Sequence, residues 1–215
     1  MSYIKEIPFV LLCVARMRSG KSYSLKHMMY QMYDSKRIEK IFVFSGTSSV
    51  NNDYSHIEKK CVTSDYSHNK LKKIVKWQMD RVNKKNGGNI VLIFDDMSDL
   101  TEKLSCNLWK KLLSEHRHYK ISCIFSIQYI NTVRPFFRDL TRYCMIFRTT
   151  SKKSIESIYH NFMTEFDSYT ECKKFLLEKT KEQYRFLLID MYADGDDKYK
   201  ALKAPSELPN YVLKF

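Results

Sequence analysis

No two cysteines in this chain stand in a CxxC spacing, and none of the six (Cys13, Cys61, Cys106, Cys123, Cys144, Cys172) has a histidine at metal-ligand spacing. That excludes the common zinc-binding and dithiol redox patterns. Cys13, Cys123 and Cys144 fall inside apolar runs, where a free thiol behaves as a small hydrophobe, so a reducing compartment is expected. Long apolar runs are also missing. The one stretch resembling a signal peptide, Pro8 to Ala15, is too short to span a bilayer and follows Glu6, so a soluble, intracellular chain without membrane insertion is expected. Internal repeats and low-complexity tracts are absent. Acidic residues are scarce: 24 Asp+Glu face 37 Lys+Arg, a formal net charge of +13. An excess of this kind fits a polyanionic partner, most simply nucleic acid.

The 215 residues, 44% of them apolar, suffice for one substantial core, and one α/β domain over 1–215 is expected, with its core at about 7–150 and helices and an edge strand in 151–215. Apolar, β-branched or aromatic runs predict strands at Phe9 to Val14, Lys40 to Ser45, Ile90 to Phe94, Ile121 to Ile127, Cys144 to Arg148 and Tyr184 to Tyr192. Their continuous rather than alternating apolar character predicts a largely parallel sheet covered by helices on both faces. Helices are expected at Lys21 to Tyr33, Asn69 to Asn83, Leu104 to His116, Lys153 to Phe162 and Thr170 to Thr180. In the second, Leu71, Ile74, Val75 and Met79 form the core-facing stripe, with lysines elsewhere. Asp194-Gly195-Asp196 after the last strand reads as a turn or hairpin at the sheet edge, and the tail beyond Ala204 shows no periodicity.

The chemistry begins at Ala15-Arg16-Met17-Arg18-Ser19-Gly20-Lys21-Ser22, between the first strand and the first helix. The phosphate-loop pattern GxxxxGK[ST] surrounds phosphates with backbone N–H groups at a helix N-terminus; its Lys reaches the β- and γ-phosphates and its Ser/Thr ligates Mg²⁺. Gly20, Lys21 and Ser22 are intact, and Ala15 replaces the first Gly, where a Cβ restricts the backbone. Ala15, Arg18, Ser19, Gly20, Lys21, Ser22 and Tyr23 are the candidate nucleotide-binding positions.

A carboxylate at the tip of a neighbouring strand must complete such a site, and Ile90 to Phe94 runs into Asp95 and Asp96. Asp95 is the candidate metal ligand with Ser22, and Asp96 the group that orients and deprotonates water. Many related ATPases carry Glu at the second position; Asp is one methylene shorter. Gln128, at the end of the Ile121 to Ile127 strand, is placed to sense a γ-phosphate or to cap the strand. Arg117, in Glu115-His116-Arg117-His118, and Arg138, in Arg134-Pro135-Phe136-Phe137-Arg138, are candidates for an arginine acting on a neighbouring subunit's nucleotide, or for ordinary surface and nucleic-acid contacts. His116 and His118 lack partners at metal spacing and read as structural.

The order ARMRSGKS, IVLIFDD, RHYKISCIFSIQ and VRPFFRDLTRYCMIF, covering about Ile7 to Thr150, resembles the FtsK/HerA superfamily of P-loop ATPases, and within it the poxvirus-type DNA-packaging ATPases of large DNA viruses. The resemblance implies a RecA-like core, a homo-oligomeric ring, ATP with Mg²⁺ hydrolysed between subunits, and sequence-independent translocation of double-stranded DNA into a capsid, with a capsid or portal vertex protein as partner and the host cytoplasm or virion as location. It aligns the family's recurring Arg-His, strand-end Gln and following Arg with Arg117, His118, Gln128 and Arg138. Ser98 to Lys103 and Lys84 to Gly88 are the candidate DNA-contacting loops. Two other readings stay open, a small-molecule P-loop kinase and a nucleotide-gated assembly protein with little turnover.

Overall fold

A computed structural model describes residues 4–47, 52–96, 107–130, 135–207 and 211–213. The apolar runs become the strands: β1 (Val10–Val14), β2 (Lys40–Ser45), β4 (Ile90–Asp95), β5 (Ile121–Ile127), β6 (Tyr143–Phe147) and β7 (Arg185–Asp190), joined by the short β3 (Val62–Thr63) and by β8 (Tyr199–Lys203). Every residue of β1, β4 and β6 is buried, as strands covered on both faces require. The sheet order is β3-β2-β4-β5-β1-β6-β7-β8. β2 pairs in parallel with β3 and β4, and β1 with β6, whereas β6, β7 and β8 are antiparallel neighbours. The largely parallel α/β sheet expected from the sequence is present, with an antiparallel edge. The helices are α1 (Lys21–Asp34), α2 (His68–Asn83), α3 (Asn107–Glu115), α4 (Pro135–Asp139), α5 (Lys152–Phe162) and α6 (Tyr169–Lys179).

The chain divides into two compact units drawn from separated stretches: Met1–Val10, Met28–Phe125 and Pro209–Phe215 in the first, Leu11–His27 and Ser126–Leu208 in the second.

In the first unit an aromatic stack forms the core beneath α3. Phe94 lies 5.2 Å from Phe44 and 5.2 Å from Phe125, both rings stacked nearly parallel to it, and Trp109 meets Phe94 edge-on at 4.8 Å. Trp109 is fully buried, and its Nε1 donates to the Tyr66 hydroxyl at 3.1 Å. Ser67 caps α2 by accepting from the Lys70 N–H. The buried stripe of α2 is Leu71, Ile74, Val75 and Gln78, not the expected Met79, which is half-buried. Gln78 enters because two backbone carbonyls need a donor there: its Nε2 donates to Gly88 O at 2.8 Å and to Tyr119 O at 3.0 Å, tying the loop after α2 to the turn before β5. Gln78→Leu leaves both carbonyls unmatched in a buried site and is expected to cost about 2–3 kcal/mol, read as a lowered urea midpoint at unchanged slope. The aperiodic tail also finds a place here, since Leu213 N donates to His56 O at 2.7 Å and bridges Ile57.

In the second unit, α5 and α6 open on serine caps, Ser151 and Ser168. The turn expected after β7 is a short 3-10 segment, Gly195–Asp197, which leads into β8. β8 escapes a hydrophobicity reading because Lys200 and Lys203 interrupt it, as suits the edge of a sheet.

Cys13, Cys61, Cys123, Cys144 and Cys172 are buried free thiols. Burial pushes the Cys172 thiol up to about 11, so it packs as a neutral group. Among the described residues no helix is long and apolar enough to cross a membrane.

Candidate functional site

The phosphate loop lies entirely in the second unit. β1 delivers the chain to Ala15, which is buried and donates its N–H to Ile127 O, at the end of β5, at 3.0 Å. This bond anchors the loop entrance beside Gln128. The left-handed backbone of the loop falls at Arg18 (φ 59°) and Gly20 (φ 93°), not at Ala15, so alanine in place of the first glycine carries no conformational cost. Arg16, Met17 and Arg18 are exposed; Ser19, Gly20, Lys21 and Ser22 are half-buried, and Tyr23 is exposed. The helix closes its first bond from Ser24 N to Gly20 O at 3.0 Å. No acidic residue occupies the first turn of α1, so the positive end of its dipole is not neutralised from within. Within this cradle the Ser19 hydroxyl is buried without a hydrogen-bond partner among the described residues. A buried hydroxyl is rarely left so, and beside a helix N-terminus it matches an anion that brings its own acceptor oxygens.

Gln128 is half-buried at the end of β5, and the neighbouring Ser126 hydroxyl is buried without a hydrogen-bond partner among the described residues. Arg138 lies on α4, half-buried, with its Nε also buried and without a hydrogen-bond partner among the described residues. Proline at the first position of α4 suits the start of a helix, although the sequence reading had no element there. Lys21, Ser22, Gln128 and Arg138 thus share one unit, while Asp95, Asp96 and Arg117 belong to the other.

In the first unit the two aspartates stand in different environments. Asp95 is buried at the end of β4, opposite Ser45 of β2, and accepts a hydrogen bond from the Tyr54 hydroxyl at 2.9 Å. Asp96 is half-buried and left-handed, with φ 52°. Asp tolerates that region better than most residues, and the conformation turns its side chain off the strand direction. Among the described residues no three His, Cys, Asp or Glu side chains cluster to hold a metal ion. One or two carboxylates with a hydroxyl suit Mg²⁺, which completes its shell with water and substrate phosphates.

Arg117 is exposed in the turn after α3, where its carbonyl accepts from Lys120 N at 3.2 Å. His116 is buried with Nδ1 2.8 Å from Leu113 O, and burial pushes its pKa down, which fits a structural side chain. His118 is exposed. In the loop Lys84 to Gly88, the backbone is pinned while the lysines stay out: Lys120 Nζ donates to Gly87 O at 2.9 Å, and Lys84, Lys85 and Asn86 are exposed. Ser98 to Lys103 and Arg134 lie outside the described residues.

The sequence reading missed Tyr54, which holds Asp95 from 41 residues away. It also missed Tyr184 and Ala204, whose side chains would stand 3.1 and 3.3 Å from a Cβ on Gly20. No local pattern marks such pairs, because each is made by packing.

Solved structures with this fold include the genome packaging NTPase B204 from Sulfolobus turreted icosahedral virus 2 in complex with ATP-gammaS, at 21% identity, 91% coverage of this chain, 96% of that chain and a TM-score of 0.63. Another is the pCW3 conjugation coupling protein TcpA with ATPgS, at 15% identity, 91% and 60% coverage and a TM-score of 0.60. The chain therefore shares the fold of these two proteins. In sequence, Uncharacterized protein 075L of Invertebrate iridescent virus 6 is 25% identical over 192 residues, 88% of this chain and 73% of that protein. The family model described as Poxvirus A32 protein matches residues 2–190, from ahead of the phosphate loop to the last residue of β7. With so much of its length matched, the chain belongs to the Poxvirus A32 protein family.

Proposed function

We propose that this chain is the ATPase of a viral genome-packaging motor, driving double-stranded DNA into a capsid. The observation that carries the reading is the phosphate cradle, with its left-handed turns at Arg18 and Gly20, its acid-free helix start, and its buried Ser19 hydroxyl, without a hydrogen-bond partner among the described residues. Motif order and family membership support the remaining roles.

In this reading Lys21 Nζ neutralises the β- and γ-phosphate oxygens, the first-turn N–H groups of α1 and the Ser19 hydroxyl donate to the phosphates, and Arg18 and Tyr23 border the nucleotide. Ser22 and Asp95, the latter kept in place by Tyr54, would hold Mg²⁺, which when bound would supply charge withdrawal at the phosphoryl oxygens. Asp96 accepts the proton of the attacking water as the new P–O bond forms and the bond to the ADP oxygen breaks, the electron pair leaving with ADP. Gln128 reports whether the γ-phosphate is present, and Arg117 or Arg138 reaches the nucleotide of the next subunit in a homo-oligomeric ring. The exposed lysines of the Lys84 to Gly88 loop and the +13 charge contact DNA phosphates without reading bases. A capsid or portal vertex protein receives the ring, in the host cytoplasm or at the virion.

Phosphate release measured with and without duplex DNA tests this. Turnover rises with DNA of any sequence, and the salt dependence of the stimulation follows counterion release: its half-maximal DNA concentration increases at least about 1,000-fold between about 50 and 200 mM salt if six or more phosphates are contacted. Stimulation by nucleosides instead of DNA would identify a kinase. Tight ATP binding without turnover in either condition would identify a nucleotide-gated assembly protein.

A further inference from the structure

We propose that Tyr184 is the stacking platform for the nucleoside base, an assignment that rests on the phosphate loop being an ATP site. Pair registers within the second unit put it at the right edge. β1 runs parallel to β6 with Val14 opposite Ile146, and β7 runs back along β6 with Phe147 opposite Phe186. Arg185 pairs with Lys203, so the start of β7 and the end of β8 both stand at the edge where β1 hands over to the phosphate loop. In the sheet order β1 lies between β5 and β6. The β5 side carries Gln128, the proposed γ-phosphate sensor, so the nucleoside end of the ligand belongs on the other side of β1, where the base of the β7–β8 hairpin lies.

Contact and backbone agree with this placement. A Cβ on Gly20 would stand 3.1 Å from Tyr184 Cδ1 and 3.3 Å from its Cβ, so the ring rests directly on the loop glycine. Tyr184 adopts φ 65°, a left-handed conformation that is an outlier for a bulky residue. The bond from Ala204 N to Tyr184 O, 2.9 Å, holds it there. Strain of this kind persists where surrounding structure imposes it, and it clusters at ligand clamps. The ring is nevertheless not core: Tyr184 is 44% exposed. An aromatic seated against the phosphate loop by one edge and open to solvent over the rest offers a surface on which any base stacks.

Binding of Mg·ATP and of Mg·tripolyphosphate to the full chain, measured by calorimetry, separates a platform from a prop. Tyr184→Ala weakens ATP binding about tenfold, as loss of a base–aromatic stack does, and leaves tripolyphosphate binding unchanged; Tyr184→Phe keeps both affinities. Tyr184→Gly, which removes the ring and relieves the left-handed backbone, gives the same split and serves if the alanine variant does not fold. Equal loss of both ligands would show that Tyr184 only shapes the loop at Gly20, and unchanged ATP affinity would show that no stack exists; either result overturns the assignment. Failure of the parent chain to bind either ligand would instead remove the ATP site on which the assignment rests.

Discussion

Lys21→Ala is expected to lower ATP turnover by at least about 100-fold, the loss seen when one preorganised donor to a developing oxyanion is removed. The ammonium is the one full positive charge in the loop segment from Ser19 to Ser22, and it stands half-buried at the helix start, where a charge acts through less water than at the surface. The fold survives the change. Lys21 opens α1 and contributes nothing to its buried face, where Leu25, Met28, Met29 and Met32 pack, and alanine is the best helix former. A melting temperature within about 4 °C of the parent, a shift of about 1 kcal/mol or less in a chain of this size, together with lost phosphate release, is the expected pair of results. Turnover at the parental rate in a folded Lys21→Ala protein would discard the phosphate-loop assignment, whatever the role of the aspartates.

The second large effect belongs to the arginines. An arginine supplied from a neighbouring subunit accelerates phosphoryl transfer by about 10³ to 10⁵, so alanine at whichever of Arg138 and Arg117 acts in trans lowers kcat by about 1,000-fold or more. The two start from different settings. Arg138 is half-buried on α4 with its Nε buried and without a hydrogen-bond partner among the described residues, whereas Arg117 is exposed in a turn. Mixing distinguishes action across a seam from action within a chain. A Lys21→Ala protein and an Arg→Ala protein are each inactive alone, yet a mixed ring contains seams that pair an intact Lys21 with an intact arginine, so turnover returns. Recovery with only one of the two arginine variants assigns the role. If neither variant loses more than about tenfold and mixing restores nothing, hydrolysis does not depend on an arginine contributed by a neighbour.

Legibility in the sequence followed the range of the interactions involved. The end of β1, the Gly20-Lys21-Ser22 segment and the start of α1 are contiguous in the chain, so the strand–loop–helix order could be read directly. Strand positions were legible to within about two residues because doubly covered strands are continuously apolar; β2 and β5 coincide with the predicted ranges. The starts of α2, α5 and α6 were placed one residue late, at Asn69, Lys153 and Thr170, because the serine caps that fix them, which act over three residues, were not read. Gln78 breaks the periodic rule since a polar side chain enters a core when distant carbonyls require it, and those carbonyls, on Gly88 and Tyr119, carry no signal along α2.

Composition and local pattern were thus enough for the α/β class, the strand–loop–helix segment around Gly20 and the presence of an acid-tipped strand, all properties of short stretches. Packing alone settled the rest: that Ala15 avoids the left-handed region, that Asp96 enters it, that Tyr54 clamps Asp95, and that Tyr184 and Ala204 press on Gly20. Each of these depends on atoms brought together from far apart in the chain. Their geometry is dictated by strand register and steric fit, and neither is written in the identity of any one residue.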